Sequence, residues 1–193
     1  MSMQRQALSI IKSFFAKYQS LVGKPVISVS PDKVIVQLFY YAPTEILTNA
    51  SIAALGDALT RCFFSPGSAG GTRTVELRLV RINHSALDSS IFAQYLTANG
   101  GKYSFNRILD MLKGSLPTVV SEGSVDENSD TPTSAHITGV KIKLSGRLTT
   151  QRSGPRQTVQ AGRLGSSAKG QFGTVDYSQH TAKNKLGAFT MKV

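Results

Sequence analysis

Over residues 3–22 apolar side chains recur every three or four positions: Ala7, Leu8, Ile11, Phe14, Phe15, Tyr18, Leu21 and Val22. That spacing lines one face of an amphipathic helix. Gly23 stops it, and Pro25 keeps it from resuming. Bases at Arg5, Lys12, Lys17 and Lys24, with no acid before Asp32, also give the segment the character of a mitochondrial targeting sequence. The expectation is a helix retained in the folded chain.

The period then changes. Residues 33–41 (KVIVQLFYY) are β-branched and aromatic, which predicts a strand. Helical spacing returns over 50–64 through Ile52, Leu55, Leu59, Cys62 and Phe63, with Asn49 or Ser51 as the cap. Cys62 on that stripe reads as a small core residue rather than a nucleophile. After a Gly-rich loop at 66–72, residues 74–82 alternate Val75, Leu77 and Leu79 with Glu76 and Arg78, a half-buried strand. Ser85 or Asp88 opens a helix to about Ala98, Asn99-Gly100-Gly101 breaks it, and 104–112 forms another.

Residues 118–135 lose the pattern. Ser, Thr and Asp dominate, with Glu122, Asp126, Glu127 and Asp130 and no base, as in a solvated acidic linker. Residues 138–148 then alternate cleanly: Val140, Ile142 and Leu144 on one face, Lys141, Lys143, Ser145 and Arg147 on the other. Residues 156–161, 173–178 and 186–193 complete three further strands, with loops at 145–154, 162–173 and 179–184. The fold class is α+β. The expected organisation is a helix at 1–24, an α/β domain at 25–117, the linker at 118–135 and a small four-stranded domain at 136–193.

Charge sharpens this division. The 193 residues hold 22 Lys or Arg and 11 Asp or Glu, a net charge of +11. Ten of those bases but one acid, Asp176, fall in 136–193, so this segment alone carries +9. Such an excess calls for a polyanionic partner, most often nucleic acid. Gly, Ser and Thr in the loops let a backbone approach phosphates closely.

Much chemistry is missing. No run of about 18 apolar residues predicts a membrane span. Cys62 is the only cysteine, and His84, His136 and His180 lie far apart, so neither a disulfide nor a metal site is expected. There is no phosphate-binding P-loop, dinucleotide fingerprint or hydrolase motif. Asp176 alone cannot hold nuclease metals and reads as an ion-pair partner. Neither cofactor nor catalytic residue is assigned, and the histidines read as surface or RNA-contacting groups. Gly67-Ser-Ala-Gly70 matches the G-x-x-G of a KH domain, but it connects a helix to a strand, the wrong place for that clamp.

Gly139-Val-Lys-Ile-Lys-Leu-Ser-Gly-Arg-Leu148 resembles the strand that opens the C-terminal domain of the small-subunit ribosomal protein S-three family. Arg156, Asp176-Tyr177, Thr181 and the closing Gly187-Ala-Phe-Thr-Met-Lys-Val193 follow in that family's order, and the wording is similar to its fungal mitochondrial type. The resemblance implies a type II KH domain ahead of it: strand 33–41, helix 50–64, strand 74–82, helix 88–98. Where the family places its basic G-x-x-G, this chain reads Ala42-Pro-Thr-Glu-Ile-Leu-Thr-Asn-Ala50, so the clamp is expected to be lost.

The resemblance implies a structural constituent of the mitochondrial small ribosomal subunit, in the matrix, bound to head rRNA near the mRNA entry site. Arg147, Arg152, Arg156 and Arg163 would grip phosphates, since a planar guanidinium does so in two places. Lys141, Lys143, Lys169, Lys183 and Lys185 would add charge. Arg107 and Lys113 are the candidates facing mRNA, on a helix where Asn106 and Asp110 replace expected bases. Ribosomal proteins S-ten and S-fourteen are the expected neighbours, and no membrane is. The alternatives are a free RNA-binding factor and a small mitochondrial RNA-processing nuclease.

Overall fold

The computed structural model describes residues 3–30, 32–42, 47–64, 74–115, 137, 139–150, 159–165 and 175–193. In it the run Lys33–Tyr41 becomes strand β3, the centre of a four-stranded sheet. Here β1 (Leu21–Val22) and β2 (Val26–Val29) pair antiparallel with successive halves of β3, Leu21 opposite Tyr41 and Val26 opposite Gln37. Between them Gly23 N–H still donates to Phe39 O at 2.9 Å. Pro25 has no N–H to give, so one edge strand is split in two. On its other side β3 runs parallel to β4 (Thr74–Arg81), with Val36 opposite Leu77. Parallel neighbours need a crossover, supplied by helix α2 (Asn49–Phe63).

Helix α1 (Met3–Lys17) and α2 supply one core with the sheet: Ala7, Ile11, Phe15, Leu55 and Leu59 meet Val22, Val34, Val36 and Leu38. Burying each of the larger side chains stabilises the fold by about 1.5–3 kcal/mol. Cys62 is half-buried and packs beside this core.

The helix expected through Val22 ends at Lys17 instead. Tyr18 and Ser20 N–H both turn back to Phe15 O, at 3.2 and 3.0 Å, and Gln19 takes a φ of +51°. Leu21 and Val22 fit the helical spacing, but their backbone groups are satisfied in the ladder with β3. The cap of α2 is Thr48, whose Oγ1 accepts from Ser51 N–H, rather than Asn49 or Ser51. A short 3-10 turn (Ser85–Leu87) carries the chain toward α3 (Ser89–Asn99). Asp88 Oδ1 caps that helix by accepting from Ile91 N–H at 2.8 Å.

The chain divides into two compact units, Met1–Ile91 and Phe92–Val193. The second holds most of α3, then α4 (Phe105–Ser115) and an antiparallel sheet ordered β6-β5-β8-β7. These strands are β5 (Gly139–Ser145), β6 (Val159–Gly165), β7 (Gln179–Asn184) and β8 (Gly187–Lys192). Sequence reasoning grouped 25–117 together, whereas α3 and α4 fold with this sheet. A Cβ on Gly162 of β6 would lie 2.5 Å from the methyls of Leu109, and one on Gly100 would lie 3.1 Å from Phe189. Close packing, not chain proximity, places these helices. The linker expected at 118–135 lies outside the described residues.

Two strands sit later than expected. Residues 162–165, read as loop, extend β6, because Gly162 lets Leu109 pack against the sheet. Residues 179–184, also read as loop, form β7, while 175–178 precede it without regular structure. The polar sequence QHTAKN has little strand propensity. Pairing with β8, Thr181 opposite Thr190 and Ala182 opposite Phe189, imposes the extended form. Among the described residues the result is a mixed α/β arrangement with four α-helices and two four-stranded sheets.

Candidate nucleic-acid interface

Register decides which charges meet. Residues directly paired in a sheet share a face, so each pairing places two side chains. Lys141 of β5 stands opposite Arg163 of β6, and Lys143 stands between Ala161 of β6 and Lys192 of β8. Lys192 in turn faces Gln179, while Lys183 faces Ala188. The opposite side carries Ile142, Leu144, Phe189 and Met191, all buried. Arg163, Lys141, Lys143, Lys192 and Lys183 therefore share one side of a four-stranded sheet, and among its described residues that side has no acid.

Cross-strand partners have Cβ atoms about 5 Å apart, and like charges there are destabilising. Two such pairs, Lys141–Arg163 and Lys143–Lys192, are therefore an electrostatic load. The first unit handles charge differently. There Glu76 accepts from Lys33 and, at 2.7 Å, from Arg78 Nε, and the Lys33 ammonium followed by Arg78 holds its carboxyl below the ordinary value of 4.5. Lys33 and Arg78 thus meet a carboxylate within their unit, whereas the second sheet face offers its bases none among the described residues.

The end of this face is held rigidly. Gly146 closes β5 with φ +101°, and a Cβ there would meet Ala188 O at 2.6 Å, so this position needs glycine. The next residue, Arg147, is half-buried, and its carbonyl accepts from Asn184 Nδ2 at 2.8 Å. Asn184 Oδ1 also accepts from Leu186 N–H at 2.9 Å, shaping the two-residue tip Lys185-Leu186 between β7 and β8. The same asparagine thus sets Arg147 beside the hairpin that carries Lys183 and Lys185.

Of the nine residues expected to bind RNA, Lys141, Lys143, Arg163 and Lys183 lie on the common face, and Arg147 and Lys185 lie at its hairpin end. Arg152, Arg156 and Lys169 fall outside the described residues. Sequence reasoning missed Lys192. Its alternation with Phe189 and Met191 put it on the polar side of the last strand, but nothing in the sequence says that this strand pairs with β5. Arg107 and Lys113 sit on α4, whose Leu109 packs on the other side of the sheet. Arg107 lies 5.4 Å from the centre of the Tyr103 ring, and Lys113 bonds Asp110 at 3.0 Å.

Among the described residues no group of three or more His, Cys, Asp or Glu could hold a metal ion, and no helix is long and apolar enough to cross a membrane. His84 serves the backbone, its Nδ1 accepting from Ala86 N–H at 3.2 Å.

The fold and this face define a basic mixed α/β protein with a one-signed surface for a partner. Residues 20–193 match the family model described as "Mitochondrial ribosomal protein (VAR1)". The chain is also similar to the small ribosomal subunit protein uS3m of Mycosarcoma maydis, 33% identical over 186 residues. That match covers 89% of this chain and 66% of the relative, just under two thirds of its length. The chain belongs to the VAR1 family of mitochondrial ribosomal proteins, of the fungal mitochondrial S-three type that its last strands indicated. The family is one of ribosomal proteins rather than enzymes, which sets the nuclease alternative aside.

Proposed function

We propose that this chain is a structural constituent of the mitochondrial small ribosomal subunit in the matrix, docked on the rRNA of the head near the mRNA entry. The observation that carries the reading is the register pairing of Lys141 with Arg163 and of Lys143 with Lys192 on a face with no acid among its described residues. An RNA backbone relieves that repulsion and releases counterions as each phosphate is neutralised. Arg147, Lys183 and Lys185 extend the contact at the hairpin end, with Arg152, Arg156 and Lys169 as further phosphate ligands in the same basic segment.

The first unit is a degenerate KH-like body. Support comes from its order, a helix, a split edge strand, a central strand, a crossover helix and a parallel strand. At the place of the G-x-x-G clamp it offers no glycine, and it works as a protein-docking body toward S-ten and S-fourteen. With Lys113 engaged by Asp110 and Arg107 over Tyr103, the mRNA contribution of α4 is weak. Sedimentation tests the reading. Epitope-tagged chain from mitochondrial lysate is expected in the small-subunit fractions, and Lys141→Glu with Arg163→Glu moves it toward the top. Wild-type chain that stays at the top while small subunits migrate overturns it.

A further inference from the structure

An exposed aromatic stands beside the cations. Ser178 and Val193 exchange both backbone hydrogen bonds, at 3.0 and 2.9 Å, so strand pairing continues one residue before β7. Ser178 is buried, which turns its neighbours Tyr177 and Gln179 to the other side. Gln179 is the register partner of Lys192, and Lys192 is that of Lys143. Tyr177 thus borders the cationic face, 56% exposed, its hydroxyl donating to Gln179 Oε1 at 3.5 Å.

We propose that Tyr177 is a stacking platform for one unpaired RNA base, whose flanking phosphate is held by Lys192 and Lys143. Resting on the reading of this face as an RNA-docking surface, the proposal adds what kind of RNA the face takes. A ring this exposed presents surface to a base, and stacking on such rings is how proteins hold bases splayed out of a helix. A fully paired duplex would engage the cations and leave the ring idle. A bulge, loop or junction nucleotide would use both.

The test uses the full chain and two RNA hairpins of equal length, one with a single bulged 2-aminopurine and one with that base paired. Wild-type protein is expected to bind the bulged hairpin about five-fold or more tightly, with quenching of 2-aminopurine fluorescence on stacking. Tyr177→Leu abolishes the preference and the quench while binding the paired hairpin as before, and Tyr177→Phe retains both. Lys192→Gln weakens binding of both hairpins. If Tyr177→Leu keeps the preference and the quench, the proposal is overturned. If wild-type protein binds both hairpins equally and with strong salt dependence, the face docks RNA but the ring meets something else, such as a protein neighbour, and the stacking proposal alone is overturned. If it binds neither, the RNA reading of the face falls and takes this proposal with it.

Discussion

Neutralising Lys141 and Lys143 together, both to Gln, should move two observables in opposite directions. Five cations share the face, and each phosphate neutralised on duplex RNA contributes about 0.9 to the slope of log affinity against log salt. These five contribute about −4.5 to the slope, a roughly 500-fold share of the loss of affinity between 50 and 200 mM salt. With two removed their contribution becomes about −2.7 and their share roughly 40-fold, so the slope is shallower by about 1.8. Stability should rise meanwhile, because the register places Lys141 opposite Arg163 and Lys143 opposite Lys192. Relieving two exposed like-charge pairs is worth about 1 kcal/mol at low salt, or about 4–8 °C in the melting temperature of a unit of this size. Fluorescence anisotropy with a small-subunit rRNA fragment across a salt series, alongside thermal melts, measures both. A double variant with an unchanged salt slope, or one that melts lower than wild type, would refute the argument. The first result would mean that the face is not where RNA binds, and the second that these lysines stabilise the sheet.

Four further substitutions have outcomes set by the geometry. Gly146→Ala should cost about 2–4 kcal/mol in urea denaturation, from positive-φ strain plus a backbone clash with β8. Gly187→Ala should cost only about 1–2 kcal/mol, since φ is also positive there (+129°) but, among the described residues beyond its chain neighbours, no atom lies within 4 Å of the added Cβ; equal losses would contradict the clash. Asp88→Ala should lose about 1 kcal/mol by freeing Ile91 N–H, and amide exchange at the start of α3 should quicken. Glu76 has a folded-state pKa below its unfolded value, so its contribution is present above the unfolded pKa of about 4.5 and fades as pH falls through the folded one. Glu76→Gln should therefore flatten the acid limb of a urea-midpoint-versus-pH curve while leaving its slope near neutrality unchanged; an unaltered acid limb would count against the Lys33–Glu76–Arg78 cluster.

Strong local periodicity was legible. The run at 33–41 is a strand with those bounds, and the helix at 50–64 is displaced by one residue. The alternation of Val140, Ile142 and Leu144 with Lys141 and Lys143 identified both faces of β5 before any partner strand was known. Weak local signals failed. Residues 179–184 read as a loop because their side chains are polar, and they are extended because β8 pairs with them. Residues 162–165 read as a loop because of their glycines, yet Gly162 is what allows Leu109 to approach the sheet. Leu21 and Val22 satisfied two periods at once, and pairing with β3 chose between them.

By itself the sequence determined where the charge lies, which strand carries it outward, and which family the last strands resemble. These are properties of composition and short-range alternation, set by the geometry of a single strand or helix. Tertiary structure decided which cations become neighbours. Lys192 joins Lys143, and Arg163 joins Lys141, only because β5 pairs with β8 on one side and β6 on the other. Register is a non-local choice, made by burying Ile142, Leu144, Phe189 and Met191 on the same side. That burial holds like charges together on the opposite face, ready for a partner of the other sign.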